Sequence, residues 1–419
     1  MTTDQNLQTS SIRGKIAVGA TFITLIILYG IWYAYSVLLV ALIREFAWSR
    51  SVVVGAFSVF VLVHGFLGPF IGWLIQRFGP RRLILTGGCV MAFGLFLLAE
   101  TTRWWHLYLA FGVIASLGVS LGGWMPAVTL ACGWFPKRIG TAIGVTSSGI
   151  GIGIFCMVPA VQLLIDHVGW RWTYRILAIL LVVWVVPAAL KLIRDPPVVA
   201  PLPNQTLHGS PANERRSSLQ WTPGAALRSR QFWLMGAMLF TGNWVTQMLL
   251  IHQVAYLVDR GISAMTAASL GGMVGLVSIV GKVGWGNLSD RNSRELSYGM
   301  AFGFVAASVG ALIMAGWYQT EAWLLAYTLF IGLGYGAMGP LPAAATSDLF
   351  GGENFPTIYG IIYAIGGVGL AAGTWSAGLI FDCTGSYVLA LWLGFGMAVL
   401  SPILLWAAAP RRANPPRKD

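Results

Sequence analysis

Long apolar runs follow one another along almost the whole chain, and they limit its fold more than any other feature. Of the 419 residues, 57% are hydrophobic and 10% are charged, whereas soluble proteins contain about 25% charged residues. A chain of this composition has too few polar side chains to cover a soluble globular fold. The composition also excludes a disordered chain and a small secreted module held by disulfides. Lipid must therefore be the main solvent of the folded protein.

The apolar runs have the length of membrane-spanning helices. A hydrocarbon core of about 30 Å is crossed by roughly 20 helical residues, and lipid-exposed backbone must satisfy its own hydrogen bonds. The runs lack the alternation of β-barrel strands. The sequence therefore predicts an all-α membrane protein with twelve transmembrane helices in two pseudo-symmetric six-helix bundles. The predicted spans are 15–43, 51–76, 82–100, 105–132, 138–164, 172–193, 232–258, 264–288, 296–317, 321–346, 356–380 and 386–409.

Basic residues in the loops predict the orientation in the membrane. With the N-terminus inside, the inner loops carry about three times as many Lys and Arg residues as the outer loops, as the positive-inside rule requires. We therefore expect a multi-pass protein of the cell membrane, in bacteria the inner membrane, with both termini in the cytoplasm. The predicted parts are a cytoplasmic tail (1–14), the first bundle (15–193), a proline-rich cytoplasmic linker (194–231), the second bundle (232–409) and a cytoplasmic tail (410–419).

Several other functions are excluded by the placement of charged and reactive residues. The net charge of +12 does not indicate a nucleic-acid partner, because most basic residues stand singly between apolar runs. The four cysteines lack metal-ligand spacing. The sequence has no Walker-type loop, and no nucleophile–base pair, metal-ligand set or carboxylate pair converges on one span. We therefore expect no cofactor, no metal, no ATP-driven step and no enzymatic activity.

The two halves of the chain repeat each other. Residues 72–77 (Gly-Trp-Leu-Ile-Gln-Arg) match residues 286–291 (Gly-Asn-Leu-Ser-Asp-Arg) at a displacement of 214. Residues 165–169 match residues 381–385 at a displacement of 216, with Asp and Gly at equivalent places. Matches at a nearly constant displacement, each in the equivalent loop, indicate duplication of a six-helix unit.

The Gly-x-Leu-x-Asp-Arg-type loop, its copy and the two sets of six spans resemble the major facilitator superfamily. The resemblance covers the chain outside its tails and central linker. It implies secondary transport by alternating access and an inner gate that uses Arg77, Asp290 and Arg291. The first loop departs from the family by having Gln76 where Asp is usual, so the acid occurs only in the second copy.

A narrower resemblance rests on three parts of the sequence. Residues 134–138 (Trp-Phe-Pro-Lys-Arg), leading into Gly144, are similar to the fifth-helix signature of the monocarboxylate porter group. Residues 30–37 with 45–50, and residues 252–263, are similar to bacterial members of that group and to the related oxalate/formate exchangers. This resemblance implies that the substrate is a small organic anion, without identifying it.

Lys282 lies inside predicted span eight, about two turns before the inner end of that helix. An ammonium group inside the bilayer costs at least about 2.5 kcal/mol, so it normally faces water, a partner or the headgroups. We interpret Lys282 as the site of a substrate carboxylate; the alternative is a side chain that extends to the inner headgroups. In the resembled porters this position is usually Arg, and animal-type members carry Asp one turn earlier, where this chain has Ser278.

Three residues are candidates for coupling transport to protons. None of the 14 acidic residues lies near the centre of a span, so a carboxylate carrier has to be terminal, and Asp259 at the outer end of span seven is the candidate. His64, near the middle of span two, and His252, in the outer half of span seven, titrate close to neutral pH. The alternatives are a solvated helix-end charge for Asp259 and helix–helix hydrogen bonds for the two histidines.

Further residues are expected to line the transport pathway. On span seven, Asn243 and Gln247 face away from His252, so both faces line one cavity only if this helix is broken, which Gly242 would permit. In the resembled superfamily, helices one, four, seven and ten line the pathway. For each aromatic residue on such a helix, ordinary packing or interface anchoring is the alternative. The aromatic candidates that follow from the resemblance are Tyr33, Tyr35, Trp124, Tyr335, and on helix eleven Tyr359 and Tyr363.

Together, these expectations predict that the protein is a secondary active transporter. Its predicted substrate is a small organic anion, a monocarboxylate, which moves together with a proton. The predicted substrate-binding residues are Lys282, His252, Asn243, Tyr33, Trp124, Tyr335, Tyr359 and Tyr363. The alternatives are an anion exchanger, an exporter of drugs or uncharged metabolites, and a membrane sensor that does not transport. The expected partners are the anion, protons and the lipid bilayer, and we expect the monomer to be the functional unit.

Overall fold

The computed structural model describes residues 2–135, 139–196, 221–352 and 354–408, and in these ranges the chain is helical with short connections and forms no strand. Within them, eleven stretches are long and apolar enough to cross a membrane, judged by length and composition. The longest, Ala142–Leu192, contains a kink at Gly169, whose φ is 77° and ψ is 159°. Predicted spans five and six lie on either side of this kink. The all-α membrane class is therefore confirmed, whereas the predicted number of twelve depends on dividing this stretch at Gly169.

The first compact unit comprises Met1–Trp48 and Val59–Pro203. Two of its predicted spans are interrupted: span one at Ala34 and span four at Gly123. A Cβ on Gly123 would collide with the carbonyl oxygen of Val119, so only glycine fits this break. The helices of this part of the chain are α1 (Thr2–Tyr33), α2 (Tyr35–Phe46), α3 (Arg50–Phe78), α4 (Pro80–Ala99), α5 (Trp104–Leu107), α6 (Ser116–Gly122), α7 (Trp124–Trp134) and α8 (Ile139–Pro187), with π-helical stretches at Tyr108–Ala115 and Ala188–Leu192.

The second compact unit comprises Ser49–Ser58 and Asn204–Asp419. Three of its helices begin with a serine whose Oγ accepts the N–H three residues later, as N-caps do: Ser229, Ser263 and Ser293. Predicted span ten is interrupted before Pro340, which has no N–H to donate to the carbonyl of Gly336. The helices that follow in this part of the chain are α9 (Pro223–Leu227), α10 (Arg230–Asp259), α11 (Ala264–Arg291), α12 (Arg294–Tyr318), α13 (Glu321–Gly336), α14 (Pro340–Phe350), α15 (Phe355–Thr384) and α16 (Val388–Ala408).

The boundary between the two units differs from the prediction in two places. Residues 49–58 were expected in the first bundle, 15–193, but they belong to the second unit. Of the predicted linker 194–231, residues 197–220 lie outside the described residues, and the following part forms α9 and the start of α10. The predicted tail 410–419 also lies outside the described residues.

Span seven is not broken, contrary to the possibility that Gly242 offered. Helix α10 runs without interruption from Arg230 to Asp259. A Cβ on Gly242 would lie 2.7 Å from the hydroxyl oxygen of Tyr298 and 2.9 Å from Phe302 Cζ. This glycine therefore serves close packing of α10 against α12.

The sequence repeat has a counterpart in the backbone. Gly169 and Gly385, which the repeat places at equivalent positions, both have positive φ, at 77° and 68°. Gly385 ends α15 with its N–H bonded to the carbonyl of Phe381 at 2.7 Å, a common helix C-terminus. The two glycines share a positive φ, but their ψ angles differ, at 159° for Gly169 and 9° for Gly385.

Candidate functional site

Lys282 faces an aromatic ring and, within the described part of the chain, no carboxylate. Its Nζ lies 5.8 Å from the ring centroid of Tyr335, which is the geometry of a cation–π contact. Among the described residues, no ion pair or hydrogen bond includes the Lys282 ammonium. One turn earlier, Ser278 is fully buried and donates to the carbonyl of Gly275 at 2.7 Å. The cation of Lys282 is therefore half-buried, and no charge in the described ranges neutralises it.

The backbone around Lys282 is fixed by close packing of α11 against α13. A Cβ on Gly336 would lie 2.6 Å from the main-chain nitrogen of Lys282, and one on Gly281 would lie 2.6 Å from the carbonyl oxygen of Leu333. The indole N–H of Trp285 donates to that same carbonyl at 2.8 Å. The two helices thus approach each other closely at the level of Lys282 and Tyr335. This contact fixes the backbone positions of both residues.

The other predicted lining residues of the second unit lie on α10 and α15. Asn243 and Gln247 are both buried, and the side-chain nitrogen of Gln247 has no hydrogen-bond partner among the described residues. The Tyr359 ring lies 6.0 Å from that of Tyr363, and Tyr363 is exposed. No hydrogen bond or ring contact in the described ranges joins these four residues to Lys282. Their role in binding stays a prediction.

Tyr33 and Trp124 lie next to the two helix interruptions of the first unit. Tyr33 is the last residue of α1 and stacks on Trp32, with the ring centroids 6.0 Å apart. Trp124 is the first residue of α7, directly after Gly123, and is half-buried. Interrupted helices place backbone groups and side chains where a regular helix would not.

The hydrogen bonds of His64 define its tautomer. Its Nδ1 lies 2.9 Å from Ser120 Oγ, and that hydroxyl donates its one proton to the carbonyl of Ser116 at 2.8 Å. Nδ1 is therefore the donor to Ser120, and Nε2 carries the lone pair. In the described part of the chain, no hydrogen bond uses Nε2, and Trp32 packs edge-on against the ring at 4.9 Å. His64 thus has a ring nitrogen that is free to accept a proton.

His252 has no such free nitrogen. It is 2% exposed, with Nδ1 2.9 Å from the Tyr387 hydroxyl and Nε2 2.9 Å from the carbonyl of Thr374. Asp259 pairs with Arg50 at 2.8 Å. The structure therefore places both residues in a hydrogen-bonded network, and it gives His252 no direct access to a substrate in this state.

Of the three predicted inner-gate residues, Asp290 forms an ion pair, and its partner is a basic residue that was not predicted. Asp290 pairs with Arg294 at 2.8 Å, and the Nε of Arg294 reaches Asp348 at 3.3 Å. Arg291 is exposed and has no ion pair among the described residues. Arg77 is exposed, with its guanidinium 5.4 Å from the Trp73 ring centroid. Arg294 is therefore the basic residue at the centre of this network, which joins α11, α12 and α14.

Replacing Arg294 with Gln is expected to destabilise the second unit by about 1–2 kcal/mol, because Asp290 and Asp348 lose their charged hydrogen-bond partner. Arg291→Gln is the matched control, and it should leave stability unchanged. Thermal unfolding of the two purified variants in one detergent compares them directly. Equal losses, or a larger loss for Arg291→Gln, would show that the network does not hold these helices.

Sequence reasoning missed the partners of the charged residues. No functional role was predicted from the sequence for Arg50, Arg294, Asp348, Asp382 or Tyr387. The proximity of Asp382 to the repeat glycine Gly385 was the available signal, because it placed a carboxylate at a helix end. The close approach of α11 and α13 had no comparable signal.

Comparison with known proteins gives a family and a set of relatives. The sequence model described as Major Facilitator Superfamily matches residues 21–374. Monocarboxylate transporter 12-B of Danio rerio is 27% identical over 362 residues, which cover 82% of this chain and 75% of that protein. Monocarboxylate transporter 3 of Rattus norvegicus is 28% identical over 397 residues, covering 94% and 79%. Monocarboxylate transporter 13 of Bos taurus is 25% identical over 410 residues, covering 95% and 91%.

Proposed function

The chain belongs to the Major Facilitator Superfamily, and from this membership we propose that it carries a small monocarboxylate across a membrane together with a proton, by alternating access. It is a multi-pass membrane transporter of the monocarboxylate-transporter-like group and not an enzyme. The proposal also covers the identity of the substrate as a monocarboxylate and its cotransport with a proton. It further places the protein, as a functional monomer, in a bacterial inner membrane with both termini in the cytoplasm.

The unpaired ammonium of Lys282 carries the proposal. It is half-buried in an apolar helix, and no carboxylate of the described residues neutralises it. A charge kept in such surroundings is costly unless an opposite charge joins it. A substrate carboxylate would supply that charge, and the Tyr335 ring would bound the site on one side. The names of the relatives point to the same class of substrate.

We assign the coupled proton to His64 in preference to His252. The free Nε2 of His64 can take a proton without breaking an existing hydrogen bond, because Nδ1 already donates to Ser120. Protonation of His252 would instead disturb its bond to Tyr387. Asp259 is engaged by Arg50 and is no longer the preferred carboxylate carrier.

Uptake into proteoliposomes tests the proposed function. The panel contains labelled formate, acetate, pyruvate, L-lactate and oxalate, each with and without an inward proton gradient. We expect at least one monocarboxylate to accumulate faster with the gradient. Accumulation only against a preloaded carboxylate, without any effect of the gradient, would support the anion exchanger. The structural argument for an exchanger is that position 278 is Ser and not an acidic residue. If no carboxylate is taken up, the remaining hypotheses are an exporter of uncharged compounds and a sensor.

Replacing His64 with Asn is expected to remove the stimulation of uptake by a proton gradient, roughly tenfold, while carboxylate exchange continues. The Asn amide can still donate to Ser120, so this hydrogen bond is kept. The matched control is His167→Asn, which changes an exposed histidine of the same unit. If gradient-driven uptake in His64→Asn equals that in His167→Asn, the proton does not bind at His64.

A further inference from the structure

Five residues of the second unit form a hydrogen-bonded group that we call the Arg50 cluster: Arg50, His252, Asp259, Asp382 and Tyr387. The Arg50 guanidinium donates from Nη1 to the Tyr387 hydroxyl and from Nη2 to Asp259, both at 2.8 Å. Tyr387 in turn contacts Nδ1 of His252 at 2.9 Å. Arg50 is 9% exposed although it begins a helix, so its charge depends on these partners.

The same cluster binds the main chain at the start of α3. The N–H groups of Arg50 and Ser51 donate to the two carboxylate oxygens of Asp382, at 2.9 and 2.8 Å. A carboxylate at this place satisfies the free N–H groups of a helix N-terminus and favours its dipole. The Phe381 ring lies 3.6 Å from Arg50 Cζ. The first turn of α3 is therefore held by α15 through both its backbone and its first side chain.

The sequence repeat shows that this arrangement occurs on one side only. Glu45 and Asp259 are equivalent at a displacement of 214, and Arg171 and Tyr387 at a displacement of 216. In the first unit, Arg171 forms an ion pair with Glu45 directly. In the second unit a tyrosine stands where that arginine would be, and Arg50 supplies the missing cation for Asp259. Arg50 lies at the start of α3, and the sequence repeat does not align this position with Arg171.

The donors and acceptors of the cluster allow only one neutral tautomer of His252. Arg50 can only donate and the Thr374 carbonyl can only accept, so Nε2–H donates to Thr374 and Nδ1 accepts from the Tyr387 hydroxyl. A proton on Nδ1 would turn this nitrogen into a donor. Two cations would then donate to one phenol oxygen, and the phenol proton would lose its acceptor. Protonation of His252 and the bond between Arg50 and Tyr387 therefore compete for the same oxygen.

We propose that the Arg50 cluster is a latch: it holds the first turns of α3 on α10 and α15 while His252 is neutral, and it releases them when His252 binds a proton. The proposal goes beyond the function proposed above and does not depend on Lys282 or on any substrate. The charged and titratable groups around His252 are Arg50 of α3, Tyr256 and Asp259 of α10, Asp382 of α15 and Tyr387 before α16, and Tyr327 of α13 bonds to the neighbouring Gln253.

A pair of nitroxide labels tests the latch in the full-length protein in liposomes. One label is attached to Cys383, which is exposed beside Asp382, and the other to Ser49→Cys, with the remaining three cysteines replaced by serine. Dipolar broadening of the continuous-wave EPR spectrum reports whether the two labels are close. We expect strong broadening at about pH 7.5 and a loss of about twofold or more at about pH 3.5, because a buried histidine binds a proton only at a pH well below that of a free imidazole.

Variants separate the latch from general effects of acid. Arg50→Gln should show weak broadening at both pH values, and His252→Gln strong broadening at both. Arg171→Gln, which breaks the equivalent ion pair of the first unit, is the matched control and should behave like the parent. If Arg50→Gln does not give a monodisperse protein, Tyr387→Phe takes its place in the test. This variant should keep the broadening at high pH and abolish the response to acid.

Two results would overturn the proposal. One is a parent protein whose broadening is the same at both pH values. The other is an acid response that persists in His252→Gln, which would assign the effect to Asp259 or Asp382. The uptake panel is unaffected by either result, so failure of the latch and failure of the proposed substrate class can be told apart.

Discussion

Replacement of Lys282 with Gln is expected to abolish uptake of the carboxylate, with a loss of about 100-fold or more. Removal of one member of a buried charge pair costs about 2–5 kcal/mol, and each 1.4 kcal/mol corresponds to about tenfold. Gln keeps a polar end group on a side chain that is one bond shorter, but it does not keep the charge. The measurement is initial uptake of labelled pyruvate and L-lactate into proteoliposomes containing equal amounts of protein.

Lys282→Arg is the matched variant, because it keeps the charge at the same place on α11. It should retain uptake within about tenfold, since a guanidinium also binds a carboxylate. Tyr335→Phe keeps the ring beside the cation and should transport nearly normally. Uptake by Lys282→Gln at the level of Lys282→Arg would show that charge at this position is not needed, and an uncharged substrate would then be favoured.

Gly336→Ala is expected to have the second largest effect, on both stability and transport. The added Cβ would lie 2.6 Å from the main-chain nitrogen of Lys282, and backbone at this distance cannot move aside without separating α11 from α13. Overpacking of this kind costs about 1–3 kcal/mol. We expect a lower melting temperature in detergent and loss of most carboxylate uptake, because Lys282 and Tyr335 no longer start from their present positions.

Gly284→Ala is the control for this change. Gly284 lies on α11 less than one turn after Lys282, and a Cβ there has no atom within 4 Å. Ala is favoured over Gly inside a helix by up to about 1 kcal/mol, so this variant should be as stable as the parent or slightly more so. Equal melting temperatures for Gly336→Ala and Gly284→Ala would contradict the packing described for the two helices.

Much of the fold could be predicted because membrane helices are encoded locally. Span eight was expected at 264–288 and α11 is Ala264–Arg291, and span twelve was expected at 386–409 and α16 is Val388–Ala408. Lys282 was also found locally, because a basic residue inside an apolar run is rare. The two glycines that the repeat aligns, Gly169 and Gly385, both have positive φ.

The contacts that define the sites could not be predicted, because they join residues far apart in the sequence. Arg50 meets Asp259 across 209 positions and Asp382 across 332 positions. The break at Ala34 has no proline or glycine to mark it, and Gly242 marked a break that does not exist. A glycine in a helix can serve a bend or close packing, and only the neighbouring helix decides between them.

The central claim is that Lys282 binds the carboxylate of the substrate, and calorimetric binding tests it most directly. Purified protein is titrated with pyruvate or L-lactate, whichever gives the higher uptake, and with the corresponding neutral amide. The account predicts that the acid binds the unchanged protein and Lys282→Arg but not Lys282→Gln, and that the amide binds none of them. Equal affinity of the acid for Lys282→Gln and for the unchanged protein would contradict it.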